Sequence, residues 1–529
     1  MKGKKGIKAS KRVCLILLSV YLLSFSACAN GDADMAAQTG NGETESGITV
    51  NSITTQNGNQ SAGQGLITTK AEDQNTSYDS TATMITGDGQ NINIEGTGAI
   101  LDDGTVKITR RGTYVLSGII NGQILVEATS EELVHLVLNG VTIDCENSAA
   151  IYGSQSDKIV ITLAEGTVNT VSDASVYHYE MEGEDEPNAA IFSKDDLTLN
   201  GTGTLIVNGN YADGIRTKDD LLILSGIYEI TTVKDSIQGK DSVSIIDGTF
   251  TITAGNDAIK ASNDVDAGKG YVIIDGGSYI VSAADDAFHA ETSLVINGGE
   301  IEITKCYEGL EGLTVEINGG NIRLYASDDG INAAGGSDEG DNFFGGGAFG
   351  GNENANITIN GGNIYVNADG DGIDSNGYLY INGGTLYVDG PTNNGNGALD
   401  YELAAYANGG TVIAVGSSGM ALGFSSDSEQ CSLLCYLDGS QGAGTEVVLK
   451  DDGGNVLISY TAEKSYSSVV ISSPDMAEDG TYTLLCGNET HEITLNGNTY
   501  GSSGFGGQSG PGGRNGSGQG GRSGSGPGK

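Results

Sequence analysis

Seven acidic residues recur in one local pattern. Asp213, Asp235, Asp257, Asp286, Glu308, Asp329 and Asp371 each precede a small residue and then a large apolar one, as in Asp213-Gly214-Ile215 and Asp286-Ala287-Phe288. Several have a second acid beside or near them, among them Asp285, Asp328, Asp369 and Asp374. If successive copies stack, like charges sit about 5 Å apart, and at an effective dielectric near 20 each pair repels by roughly 3 kcal/mol. Such a column needs relief. Calcium suits it, because that ion takes six to eight oxygens in flexible geometry. Asp264 and Asp266, in the Gly-bearing loop Asn263–Gly268, add further carboxylates. The other reading of the column is architectural, with turn carboxylates accepting hydrogen bonds from backbone N–H groups.

Two further lines run through the same region. Lys194, Lys218 and Lys240 each stand directly before an acid (Asp195, Asp219, Asp241) and fall on one line. Such a line can grip uronate carboxylates, or one desolvated lysine can abstract the proton α to a uronate carboxyl. It can equally be a solvated face of paired lysines and aspartates. Arg323, Tyr365 and Tyr387 occupy the outward position between two apolar residues of their strands, with Tyr325 diagonal to them. Tyrosines in line suit stacking on sugar rings, or cross-strand packing that stiffens a sheet.

The elements that must position these lines are legible from turns. Asp247-Gly248, Asp275-Gly276-Gly277, Asn297-Gly298-Gly299, Asn318-Gly319-Gly320, Asn360-Gly361-Gly362, Asn382-Gly383-Gly384 and Asn408-Gly409-Gly410 are spaced by 28, 22, 21, 42, 22 and 26 residues. Alternating strands flank each turn, such as Val315 and Ile317 before, Ile322 and Leu324 after. Alternation buries one face of each strand. Short strands with Gly-rich corners cannot close a core alone, but stacked rung on rung their inward aliphatics form continuous ladders. The fold class is therefore all-β, a parallel β-helix with rungs of about 22 residues over 81–430. Residues 81–190 fit the repeat less regularly and read as opening rungs. Residues 431–500 lose the repeat but keep strands, and read as a small antiparallel β unit capping the C-terminal end, where an open edge would invite pairing.

Composition narrows the function classes. With 85 Gly and 5 Pro in 529 residues, neither a collagen-like nor a Pro-rich disordered chain fits. Trp is absent, and Tyr (23) outnumbers Phe (9). The formal charge of −44 excludes a nucleic-acid footprint and favours cation binding. His135, His178, His289 and His491 form no Ser/His/Asp or His/Glu arrangement in the repeat, and the Gly-rich stretch 345–351 leads into a strand, so it reads as a mobile loop and not a phosphate cradle.

Lys2, Lys4, Lys5, Lys8, Lys11 and Arg12 precede the short apolar run Val13–Phe25, the pattern of an export signal. It ends in Ser26-Ala27-Cys28, which resembles a bacterial lipobox. The expectation is a cell-surface lipoprotein lipidated at Cys28, touching the membrane only through that anchor. Residues 1–28 hold six basic and no acidic residues, so the remainder carries 19 basic against 69 acidic ones, a formal −50. Residues 29–80 and 501–529 are low in apolar residues and read as a flexible tether and a tail. Of the remaining cysteines (Cys145, Cys306, Cys431, Cys435, Cys486), Cys435 and Cys486 are either a disulfide or, like the others, buried thiols.

Several longer strings identify a resemblance. Gly112–Gly118 (GTYVLSG), Val134–Val141 (VHLVLNGV), Pro187–Leu197 (PNAAIFSKDDL), Gly214–Leu221 (GIRTKDDL) and Asn263–Tyr271 (NDVDAGKGY) are similar to the carbohydrate-binding β-helix proteins of clostridial plant-cell-wall degraders, over roughly residues 85–500. The resemblance implies a right-handed parallel β-helix, bound calcium, and affinity for cellulose-like and acidic plant polysaccharides. It also implies a likeness to pectate lyases of polysaccharide lyase family 9, where calcium held by several aspartates neutralises the uronate and a lysine is the base. Asp213, Asp235, Asp257 and Lys218 or Lys240 are the nearest counterparts. The expected function is thus a monomeric carbohydrate-binding surface protein using calcium. A calcium-dependent lyase and a non-catalytic adhesin are the alternatives.

Overall fold

The computed structural model describes residues 69–179, 183–334 and 351–501. The export signal with Cys28, most of the tether, the stretch 345–350 and the tail beyond residue 501 lie outside the described residues.

Among the described residues every regular element is a strand, and 38 strands join in one sheet. The pairings are overwhelmingly parallel and follow the repeat. Ile227 lies opposite Thr249, Thr249 opposite Ser278, Ser278 opposite Glu300, Glu300 opposite Asn321, Asn321 opposite Asn363 and Asn363 opposite Thr385. Each strand therefore pairs with its counterpart one repeat away, the wiring of a β-solenoid. The alternation does what the sequence requires: Ile227–Thr232 and Thr249–Thr253 bury every second residue. The inward residues Leu205, Tyr228, Phe250, Tyr279, Ile301, Ile322, Ile364, Leu386 and Val412 form one ladder, none more than 2% exposed. Within it Tyr228, Phe250 and Tyr279 stack with centroids 4.9 and 4.7 Å apart, the spacing of neighbouring strands.

The turn chemistry explains the Asn-Gly-Gly signature. Each Asn amide donates to the side chain one repeat earlier: Asn297 to Asp275 (2.7 Å), Asn318 to Asn297 (2.9 Å), Asn360 to Asn318 (2.8 Å), Asn382 to Asn360 (2.9 Å) and Asn408 to Asn382 (3.0 Å). The second glycine takes positive φ (78° at Gly384), and a Cβ there would meet the Gly362 carbonyl at 2.6 Å. Only glycine fits such a corner.

Parallel stacking begins where Thr83–Asp88 pairs with Gly112–Asn121, after two short antiparallel hairpins over residues 83–108. At the other end Thr411–Gly416 pairs antiparallel with Tyr466–Ser472. A separate four-stranded antiparallel sheet (Val456–Thr461, Glu446–Asp451, Thr481–Cys486, Glu489–Thr494) has its own apolar cluster, which includes Ile413 and Val415. The five cysteines of the body, Cys435 and Cys486 included, are buried free thiols. The composition-based tether runs too far at one point. Between Lys70 and Thr81 the chain is exposed except at Asp73, which is fully buried against the sheet.

Candidate functional site

The acidic pattern forms a real ladder at one corner of the stack. The Asp235 amide donates to Asp213 Oδ1 (3.3 Å), the Asp257 amide to Asp235 Oδ1 (3.2 Å), the Asp286 amide to Asp257 Oδ1 (3.0 Å) and the Asp371 amide to Asp329 Oδ1 (2.6 Å). One oxygen of Asp213, Asp235, Asp257 and Asp329 is thus spent on the backbone of the next rung. The chemistry rests with the other oxygen, and its neighbour is set by the residue three positions on.

Those residues make a second line in strict register: Arg216 opposite Gln238, then Lys260, His289, Glu311, Asn332, Asp374 and Asp400. In the early part the line supplies cations. Arg216 Nη1 reaches Asp213 Oδ2 at 2.8 Å and Lys260 Nζ reaches Asp257 Oδ2 at 2.8 Å. His289, fully buried, holds Nδ1 2.8 Å from Asp286 and 2.6 Å from Glu311. Burial works against its charge, but the carboxylates of Asp286, Glu291 and Glu311 around it outweigh burial and hold the imidazole protonated, a His/Glu arrangement that the sequence did not reveal. Even with partners, burial pushes Asp213 and Asp257 up to about 6.

The late part inverts this. Asp329, Asp371 and Asp374 bring carboxylate oxygens within 4.8 Å of one another. Burial, with the neighbouring acids second, pushes Asp374 up to about 8. In Asp371 and Asp329 hydrogen bonds from the Gly397 and Asp371 amides offset part of the burial effect, and they reach about 7 and about 6. Asp400 is raised by burial too. Glu308, hydrogen-bonded by Asn332 (2.8 Å), is pushed up to about 8, again mainly by burial. Carboxylates at this spacing repel by several kcal/mol at an effective dielectric near 20. An all-oxygen donor set of this kind fits a hard cation such as calcium and offers nothing to a soft one.

The other expected residues are placed less centrally. Asp264 and Asp266 are exposed on their loop, where Asn263 Oδ1 accepts the Val265 and Asp266 amides and Lys269 lies 3.7 Å from Asp266. They do not join the corner, because the loop's carboxylates are turned to solvent by that Asx turn. Asp328 accepts a hydrogen bond from Tyr307, and Asp285 packs its backbone between Asn256 and Tyr307. The lysines do stack, with the Lys218 and Lys240 amides donating to the residues Ser193 and Thr217 of the preceding rung. Lys194 and Lys240 are exposed, while Lys218 is paired with Glu186. The aromatic line is engaged by the C-terminal unit. Arg323 stands 4.1 Å over the Tyr365 ring, bonds the Tyr325 hydroxyl and pairs with Glu463 at 2.8 Å. Tyr387 stacks on Tyr460 with centroids 5.1 Å apart, and all four line residues are half-buried.

Two groups escaped the sequence reading. Asp400 continues the second line, and its signal was the apolar-polar pair Leu399-Asp400 repeating Ile331-Asn332 and Ile373-Asp374. Tyr378, Tyr380 and Tyr406 form another outward cluster, with Tyr380 and Tyr406 stacked 5.5 Å apart at 11°. It sits on the strands before the turns, whereas the sequence reading looked for aromatics after them.

Residues 102–350 match the model of a family described as carbohydrate-binding domain-containing protein. A protein of Acetivibrio thermocellus with the same description is 42% identical over 141 residues, 26% of this chain and 49% of that protein. The match thus spans about half the length of that relative. A solved structure of a polysaccharide lyase-like protein from C. thermocellum, a gadolinium derivative, is 36% identical, covering 46% of this chain and 95% of that one with a TM-score of 0.41.

Proposed function

We propose that this chain, which carries the carbohydrate-binding family match over residues 102–350, is a cell-surface protein that binds plant-type polysaccharides with the help of bound calcium. The observation that carries the calcium is the trio Asp329, Asp371 and Asp374, in which Asp374 stands in the line where earlier rungs place Arg216, Lys260 and His289. These three residues would hold the ion, which supplies the positive charge that the protein supplies elsewhere in the corner. A chain of formal charge −44 repels polyuronate, so tight binding of an acidic glycan is expected to need such charge. A monomeric right-handed β-helix with rungs of about 22 residues, closed by residues 431–500 as a cap, presents an extended face that matches a polymer better than a small ligand. Lipidation at Cys28 would hold it on the bacterial membrane.

Retention of the full chain on polygalacturonate and on cellulose, with calcium and with chelator, tests the reading. Polygalacturonate retention is expected in calcium and a marked weakening of it in chelator. Indifference to both polymers would overturn it. Absorbance of unsaturated uronate during the same incubation separates binding from the lyase alternative.

A further inference from the structure

Far from the acid corner, a carboxylate of this chain is held the way a ligand is held. Asp73 Oδ1 accepts hydrogen bonds from Lys158 Nζ at 2.9 Å and Thr198 Oγ1 at 2.8 Å, while its Oδ2 accepts from the Lys70 amide at 2.8 Å. Asn200 Nδ2 donates to the Asp73 carbonyl at 2.7 Å. Asp73 is 0% and the Lys158 side chain 8% exposed, with Asp196 a further 3.8 Å from the ammonium. The floor behind is also polar. Thr162 donates to Asn200 Oδ1 (2.6 Å), so its hydroxyl accepts from His135 Nε2 (2.7 Å), and burial lowers His135 to about 4, leaving it neutral. Burial opposes the Asp73 charge, but the Lys70 amide, Lys158 and Thr198 outweigh it and hold the acid below its ordinary range.

The segment that delivers Asp73 has little else to hold it. From Lys70 to Thr81 every other residue is exposed, so no apolar burial fixes this strap. A buried ion pair roughly breaks even against desolvation. The strap is therefore exchangeable in a way that an apolar staple is not. Beside it a cavity of about 220 Å³ continues over the same strands, lined by Glu72, Asn75, Arg111, Thr113 and His135. Gly112 lies opposite Val134, and Leu133 opposite Lys158, which puts Arg111 and Lys158 on one line across three adjacent strands. Two inter-strand steps separate them, about 10 Å. A polymer with a carboxylate on every sugar can meet both cations, whereas a single carboxylate meets one.

We propose that this groove, over Leu133–Asp144, Lys158–Leu163 and Asp196–Gly201, is a binding subsite for an acidic polysaccharide, and that Asp73 occupies its carboxylate position in cis. The proposal rests on the polysaccharide-binding reading but not on its calcium. It assigns the uronate carboxylate to Lys158 and Thr198, and makes residues 69–82 a competitor that must leave first.

The test compares the full chain with its Asp73→Ser and Asp73→Ser/Lys158→Met variants, binding polygalacturonate in chelator, with polyglutamate as a carboxylate polymer lacking sugar. A strap closed nine-tenths of the time lowers apparent affinity about tenfold, so D73S should bind polygalacturonate about tenfold more tightly. The added K158M should remove that gain. No gain in a D73S chain that melts cooperatively overturns the proposal, as does a gain that survives K158M. An equal gain for polyglutamate overturns the assignment to a polysaccharide. The unmodified chain provides a second readout: backbone amide exchange over residues 69–82 should accelerate when polygalacturonate is bound, and unchanged exchange at saturation counts against displacement. Wild-type retention in calcium is measured alongside, so failure of the calcium reading is seen separately from failure of the strap.

Discussion

The early and late parts of the acid column share one corner, one hydrogen-bond pattern to the backbone and one strand register, yet they solve opposite electrostatic problems. From Asp213 to Asp286 the residue three positions on is Arg216, Lys260 or His289, or the neutral Gln238. From Glu308 to Asp371 it is Glu311, Asn332 or Asp374. A ladder of buried carboxylates is therefore not in itself a metal site. Where the chain interleaves its own cations the ladder is internally neutralised, and where it adds more acid the repulsion is relieved by a proton or, on the proposed reading, by a bound cation. The architectural reading of the column is seen in the early rungs, and the late rungs are where the proposed metal would sit.

The largest expected effect breaks the early half. Lys260→Met leaves Asp257 buried and unpaired, and loss of one partner of a buried ion pair costs about 3–5 kcal/mol. Equilibrium denaturation in urea should register it with or without calcium; an equal effect of calcium on both chains keeps the two halves independent. A cost below 1 kcal/mol would mean that Lys260 does not neutralise the corner.

A smaller effect belongs to the late half. Calcium at a hundred times its dissociation constant should stabilise the folded chain by about 2.7 kcal/mol, and Asp371→Asn should abolish that response. A calcium-induced rise in melting temperature that survives in D371N would place the ion elsewhere.

The finest contrast is in pH. Asp329, Asp371 and Asp374 have folded values raised from 3.8 to about 6, about 7 and about 8. The folded chain thus binds more protons than the unfolded one across that interval. In chelator the contribution of these three acids should make stability fall as pH rises from about 4 to 8. Calcium should cancel the fall, and Asp374→Asn should flatten it. His289 acts in the same direction over a higher interval: its stabilising contribution is full below 6.5 and is lost as pH climbs through about 12. Melting temperature against pH, with and without calcium, reads both.

Much of the fold was legible because its determinants are local. Asn-Gly-Gly marks a corner wherever the second glycine must take positive φ and the Asn must reach the same residue one repeat away. Alternation marks the buried face whatever lies opposite. The column Asp213 to Asp371 was legible for the same reason. Its partners were not, since nothing in Asp374 alone says that Asp329 and Asp371 converge on it. The exposed placement of Asp264 and Asp266 also escaped, because an Asx turn by Asn263 and the nearby Lys269 orient that loop. The line Arg323, Tyr365 and Tyr387 was read correctly as outward, but outward is not free when Tyr460 and Glu463 come from another part of the chain.

By itself, then, the sequence determined the all-β class, the inward ladders and the presence of acids in line at one corner. These follow from side-chain alternation and turn stereochemistry, which act within a few residues. Only the tertiary structure decided which of those charges are satisfied. The contacts that settle it join Thr198 to Asp73 across 125 residues and Arg323 to Glu463 across 140, and the repeat carries no record of either. Electrostatic energy depends on distance and burial in space, and a one-dimensional period fixes neither.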